Sequence, residues 1–225
     1  VMKNIDDKSI DMILCDLPYG TTVCKWDTVI PFEPLWEQYE RIIKDNGAIV
    51  LFGQEPFSSY LRISNINLYK YDWKWVKNKC SGFLNCKNAP MKKTEDICVF
   101  SKGATANGSK NNMKYYPQGL IKVDKLLKRY KNKDEGAIGN RPSRQGNYIR
   151  EFENYPNNLL HFGLDNKCIH PTQKPVALCE YLIKTYTNEG ELILDNCIGS
   201  GTTAIAALKC NRDFIGIEKD IKYVQ

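Results

Sequence analysis

Apolar and polar residues follow two rhythms along this chain. Short runs rich in β-branched and aromatic residues occur at 9–16 (SIDMILCD), 47–53 (GAIVLFG), 69–77 (YKYDWKWVK), 95–102 (EDICVFSK), in the 190s (ELILDNC) and at 213–218 (DFIGIE). Each ends in polar or glycine signals, and each predicts a strand. Between several of them the period lengthens to that of a helix. EPLWEQYERIIKDNG places Leu35, Trp36, Tyr39, Ile42 and Ile43 on one face and predicts a helix that stops at Gly47. PVALCEYLIKTYTNEG predicts a second, with Pro175 at its start and Gly190 just past its end. Strands alternating with helices predict a mostly parallel sheet covered on both faces, a three-layer α/β domain interrupted from about 103 to 160. No internal repeat or low-complexity tract is visible.

Composition adds bounds. A chain of 225 residues with 42% apolar content suffices for one sizeable core. It holds no run of about 18 apolar residues and opens with no signal peptide, so it reads as soluble and intracellular. The nine cysteines are scattered, odd in number and free of C-x-x-C pairs, which reads as reduced thiols and no metal site.

Charge matters by region. The whole chain carries +6, but residues 101–150 hold twelve basic residues against three acids, a net of +9 that leaves the remainder at −3. The segment is also rich in Asn, Gly and Tyr, as in NGSKNNMKYYPQG and GNRPSRQGNYIR. Such a mixture suits phosphates and stacked bases; a solvated loop is the plainer alternative.

Two loops carry candidate chemistry. In LILDNCIGSGTTAIAALKC a predicted strand ends in Asp195, passes Gly199 and Gly201, and enters a helix through Thr202 and Thr203. Glycines there let a ligand approach the backbone, and the helix start offers unpaired N–H groups. The next strand ends in Glu218, where an acid can accept hydrogen bonds from a ribose diol, which predicts a nucleoside pocket. The third glycine of the dinucleotide fingerprint and the lysine of a P-loop are both missing, which disfavours NAD and ATP. The other loop, DLPYG (16–20), follows the first strand. Asp, Pro and Gly would serve any turn; Tyr19 is the residue that a turn alone does not need.

Taken together, three motifs resemble those of the S-adenosylmethionine-dependent amino-methyltransferases of DNA, in their permuted β group. DLPYG is similar to the catalytic D-P-P-Y loop, DNCIGSGTT to the cofactor loop D-P-F-x-G-S-G-T-T, and HPTQKP (170–175) to an H-P-T-x-K-P segment. The order of acidic loop, basic segment and cofactor loop is that of the β group; protein-glutamine methyltransferases place a related N-P-P-Y loop after the cofactor loop. Leu17 stands where the family has proline, and Asn196 and Cys197 where it has Pro-Phe.

The resemblance implies a Rossmann-like methyltransferase sandwich of circularly permuted motif order. Residues 1–102 and 161–225 would form the catalytic and cofactor-binding domain, 103–160 an inserted target-recognition segment, and further residues would lie beyond both ends. It implies that Asp16 and the Leu17 carbonyl accept the two N–H groups of an exocyclic amine, that Pro18 stiffens the loop, and that Tyr19 stacks on an extruded base. Asp195, Asn196, Gly199, Gly201, Thr202 and Glu218 would hold S-adenosyl-L-methionine, with His170, Pro171, Thr172, Gln173 and Lys174 folding over its other side. Lys125, Lys128 and Arg129, sharing one face if VDKLLKRY is helical, would meet phosphates, and Arg141 and Arg144 guanine edges. The acid at position 16, where cytosine-N4 enzymes more often carry serine, implies adenine N6 in double-stranded DNA. The alternatives are cytosine N4, adenine in RNA, and a non-catalytic DNA-binding module. A cytoplasmic, bacterial or phage-encoded protein follows, with no membrane partner; a homodimer and a cognate restriction endonuclease are partners it admits.

Overall fold

The first apolar run forms an interior strand of the sheet. In the computed structural model, which describes residues 1–22, 24, 27–129, 146–164 and 173–220, β1 (Ile10–Cys15) is buried along its whole length. That is why it reads as a near-continuous apolar run rather than an alternation. Its one charged member, Asp11, is buried against Lys44, Lys114 and the Leu192 N–H. After it come α1 (Phe32–Ile42), β2 (Ile43–Gly53), α2 (Phe57–Ser64), β3 (Tyr69–Ser81) and β4 (Lys92–Phe100). The ribbon strands β5 (Ile121–Arg129) and β6 (Gly146–Glu153) follow, then β7 (Leu159–His161), α3 (Val176–Tyr186), β8 (Leu192–Asp195), α4 (Thr202–Lys209) and β9 (Asp213–Gly216).

Among the described residues seven strands form one sheet in the order β7-β3-β4-β2-β1-β8-β9. Only β4 runs against its neighbours β2 and β3; the other four pairings are parallel. Alternating side chains divide the core in two. Met12, Leu14, Val50, Val99 and Ile193 face α3 and α4, whereas Ile13, Cys15, Leu51, Cys98 and Leu194 face α1 and α2. The three layers and the mostly parallel sheet expected from the pattern are present.

The differences are local and have physical causes. α1 ends at Ile42, not at Gly47, because Ile43 is already extended and pairs with Ile10. Gly47 serves close approach between strands instead: a Cβ there would lie 2.7 Å from the Asp11 carbonyl oxygen. α3 ends at Tyr186, four residues before Gly190, where Thr187 turns extended and its hydroxyl and carbonyl accept from the buried Arg212 guanidinium. α2 and β7 had no signal in the pattern.

The chain divides into two compact units, Val1–Tyr116 with Asn157–Gln225, and Pro117–Pro156. Residues 103–116 and 157–160, expected in the insertion, belong to the first unit: Met113 is in its core and Lys114 pairs with Asp11 and Glu191. The described part of the second unit is an antiparallel ribbon of β5 and β6, so residues 123–129 of VDKLLKRY are strand and not helix. Leu126 and Leu127 pair with Ile149 and Tyr148, a β-forming match that outweighs the helical spacing. By strand alternation Lys125 and Lys128 lie on opposite sides of the backbone, so the expected single face does not form; the Arg129 side chain is outside what the structure describes. Arg141 and Arg144 lie outside the described residues.

The Tyr186 hydroxyl, fully buried, accepts from Trp73 Nε1 at 2.6 Å and bonds the Tyr71 hydroxyl at 3.0 Å. Tyr186→Phe leaves the indole N–H unpaired. We expect a loss of about 1–3 kcal/mol in urea unfolding with an unchanged m-value.

Candidate active site

β1 pairs with β2 on one side and β8 on the other, all parallel, and the connections leave in opposite directions. That is a topological switch point, where open α/β sheets bind ligands at the carboxyl ends of their strands. Both candidate loops are there: 16–20 after β1, and the glycine loop after β8. The pairing of Met12 with Ile193 brings them together from opposite ends of the chain.

The acidic loop is fixed from several directions. Leu17 is buried among the α1 and α2 side chains, so packing supplies the rigidity that a second proline would have given. Gly20 has φ +68°, and a Cβ on it would meet Val29 at 2.8 Å. Asp27 accepts the N–H groups of Gly20, Thr21 and Thr22 at 2.7–2.9 Å and closes the loop. The Tyr19 ring stacks on Phe57 at 5.0 Å between centroids, which occupies one of its faces.

Both oxygens of Asp16 are engaged. Oδ1 accepts from the Tyr19 hydroxyl at 2.7 Å and Oδ2 from Lys174 Nζ at 2.6 Å. The same two donors reach Glu95, at 3.1 and 2.8 Å, and Lys77 binds the far oxygen of Glu95 at 2.6 Å. Asp16 keeps 31% of its side-chain surface open to solvent, whereas Glu95 and Lys174 are buried. Burial raises the Asp16 pKa against the pull of Lys174, with the negative charge of Glu95 adding to the rise. At Glu95 burial acts in the same direction, but Lys174 and Lys77 together outweigh it and hold the pKa below the usual carboxylate range.

Lys174, expected on the cofactor side with HPTQ, is therefore placed between the two carboxylates. Glu95, Lys77 and Phe57 were not singled out from the sequence. An acid opening the apolar strand EDICVFSK was the one signal that could have pointed to Glu95. Gln173 is half-buried just ahead of Lys174; His170, Pro171 and Thr172 lie outside the described residues.

The glycine loop is tied to the last two strands. Asp195, at the end of β8, is buried; its backbone carbonyl accepts from Ile217 and its side chain from the Cys197 N–H. Asn196 turns its side chain to the Tyr39 hydroxyl, which makes it an anchor of the loop to α1. Gly201 caps α4 with φ +80°, and Thr202 is buried at the helix start. At Gly199 and Gly201 an added Cβ would meet nothing nearer than 3.9 Å, so the space above this backbone is open. Glu218 accepts from the Gly199 N–H at 2.9 Å with one oxygen and from Lys219 and Asp220 with the other. Half-exposed, it braces the loop and retains lone pairs for a ligand.

An acidic loop and an open glycine loop, side by side at the switch point of this sheet, define a Rossmann-like methyltransferase. The chain belongs to the DNA methylase family, whose model matches residues 10–225. It is similar to the type II methyltransferase M.HpaI of Haemophilus parainfluenzae, at 27% identity over all of this chain and 68% of that protein. It is also similar to the DNA adenine methyltransferase YhdJ of Escherichia coli K12, at 25% identity over all of this chain and 76% of that protein. Among solved structures it is similar to a complex of M1.HpyAVI with SAM, at 26% identity and a TM-score of 0.59 over 98% of this chain and 87% of that one. The protein is a site-specific DNA methyltransferase with S-adenosyl-L-methionine as cofactor. The open cradle above Gly199 and Gly201, with the Glu218 carboxylate at its rim, fits that group.

Burial pushes the Asp195 carboxyl up to about 6, against hydrogen bonds from Thr203, Cys197 and Cys15. Between about pH 4 and 6 the folded protein holds a proton that the unfolded chain has released. This contribution to stability is complete below the unfolded pKa and is lost as pH rises through the folded one, a span of about 3 kcal/mol. Asp195→Asn removes the titration. Thermal unfolding from pH 4 to 7 should show wild type losing stability relative to the variant as pH rises.

Proposed function

We propose that the protein methylates the N6 amino group of adenine in double-stranded DNA after extruding the base from the helix. The observation that carries this reading is Asp16, a carboxylate with both oxygens oriented by Tyr19 and Lys174 and one side open to solvent. S-adenosyl-L-methionine, when bound, supplies a methyl group on a sulfonium that leaves as a neutral thioether.

The protein's own residues supply the rest. An exocyclic amine conjugated with its ring is a poor nucleophile, because its lone pair is delocalised. Asp16 accepts one of its N–H groups and the Leu17 carbonyl the other, which favours a pyramidal nitrogen. The carboxylate also stabilises the positive charge that grows there during transfer, an interaction stronger in the transition state than before it. Its raised proton affinity suits it to take the departing proton, with water as the other acceptor. Lys174 positions Asp16, and Glu95 holds Lys174. On this reading Tyr19, backed by Phe57 and with the Lys174 ammonium 5.8 Å from its centroid, stacks the base, worth about 1–3 kcal/mol against the few kcal/mol that extrusion costs.

On the same reading Gly199, Gly201, Thr202 and Asp195 line the cofactor site, with Glu218 as ribose acceptor. The second unit, residues 117–156, serves target recognition, with phosphate contacts from Lys125, Lys128 and Arg129, and Arg141 and Arg144 reading guanine. It further places the protein in the cytoplasm, alongside a restriction endonuclease of matching specificity, with a homodimer to be sought by sedimentation. No helix among the described residues is long and apolar enough to cross a membrane.

Asp16→Ala should reduce methyl transfer to DNA well beyond tenfold, more than about 1.4 kcal/mol in barrier, while calorimetry finds cofactor affinity retained. Activity within tenfold of wild type would remove Asp16 from the chemistry. Digestion of methylated DNA to nucleosides should yield N6-methyladenine; N4-methylcytosine would transfer the reading to the other base.

Neutralising Lys125 and Lys128 together should weaken binding to cognate and scrambled duplexes alike. It should also flatten the salt dependence by about one unit for each phosphate that is no longer neutralised. An unchanged slope would mark both as solvated charges.

A further inference from the structure

The tip of the β3–β4 hairpin exposes large apolar side chains. Phe83 is 75% exposed and Leu84 96%, and Met91 is exposed nearby. The tip has a defined backbone: Gly82, at φ +88°, turns the chain into a short 3-10 helix of Phe83–Asn85, and the Asn85 carbonyl then accepts from both Asn88 and Ala89 at 2.9 Å. Two large apolar side chains on an ordered turn, facing water, mark an interaction surface.

Position and charge identify the partner. β4 runs against β2, so the hairpin leaves the sheet at the carboxyl end of β1, the end that holds Asp16. Glu95 pairs with Trp75, and three residues further out Lys92 pairs with Ser81, so the ladder carries the tip roughly 10 Å or more past the carboxylate cluster. Residues 77–93 contain five lysines and no acid. Lys77 is committed to Glu95, while Lys79, Lys87 and Lys93 are exposed. An apolar tip between lysines matches a polyanion with a stacked interior. Proteins that kink or open duplexes insert Phe, Leu or Met between base steps while cations hold the backbone.

We infer that Phe83 and Leu84 form a wedge that enters the DNA duplex beside the target base and holds the stack open while the base occupies the Asp16 pocket. This rests on the proposed methylation of duplex DNA. Phe57 already covers one face of Tyr19, so a second apolar contact on the helix side would keep the extruded state populated.

The test uses the full chain with Phe83→Ala and Leu84→Ala, singly and together. The substrate is a duplex bearing the site found by methylation sequencing of DNA from an expressing host. Because both side chains are solvent-exposed, the variants should unfold at the wild-type temperature and bind S-adenosyl-L-methionine as wild type does. The double variant should lose at least tenfold in kcat/KM on the fully paired duplex and regain most of it when the target base is mismatched, since little stacking then has to be broken. Fluorescence of 2-aminopurine at the target position should fall toward that of the stacked base with the variant bound. Wild-type rates on the paired duplex, or equal losses on both duplexes, would overturn the wedge. Unchanged methylation with loss of a dimer in sedimentation would make the tip a self-association surface and overturn it as well. Wild-type protein that methylates neither duplex would refute the function itself, a failure distinct from that of the wedge.

Discussion

One ammonium group organises the site. Lys174, immediately before the proline that opens α3, is buried between Asp16, which follows β1, and Glu95 on β4, with its charge over the Phe52 ring of β2. Two carboxylates that share the Tyr19 hydroxyl would repel each other without it. Removing one member of such a buried set strands the others, typically at a cost of about 3–5 kcal/mol. The arrangement is also unequal. Glu95 faces two cations that lower its pKa and keeps Lys174 in place; Asp16 has only a share of one and a raised proton affinity. A fixed anion thus holds the cation that orients an adjustable one.

Much of the candidate site was legible in the sequence because its two loops are contiguous. DLPYG and DNCIGSGTT state their residues and backbone needs locally, and a run such as IDMILC is buried on both faces, as its composition suggests. The cluster around Lys174 was not legible: Glu95, Lys77 and Lys174 are separated by up to about a hundred residues and meet only through the β3–β4 register and the start of α3. Glu95 alone in its strand reads as an ordinary strand-edge acid. The ribbon shows the opposite failure. VDKLLKRY has good helical spacing, but a partner strand supplying Tyr148 and Ile149 decided its conformation. Gly47 illustrates a third: its glycine was visible, yet what it serves, close contact with Asp11 on a neighbouring strand, belongs to pairing rather than to local sequence.

Substitutions in the two motifs are accommodated by packing. Leu17 gives up the conformational restriction of proline and gains burial in the α1–α2 layer. Asn196 gains a hydrogen bond from Tyr39 on that layer, so α1 braces both loops at once. The motif letters differ from the family pattern, while the positions of the loops are maintained by other means.

The juxtaposition of β1 and β8 has a consequence in time. Met12 and Ile193 are about 180 residues apart in sequence, and closing so long a loop is slow compared with forming any hairpin or helix along the way. On the ribosome the acidic loop emerges before β8 and remains half of a candidate site until β8 has been made and has inserted beside β1. A nascent or truncated chain can carry every residue of DLPYG and still lack a pocket in which a methyl donor and a base could meet. The two loops therefore cannot meet before β8 has inserted beside β1.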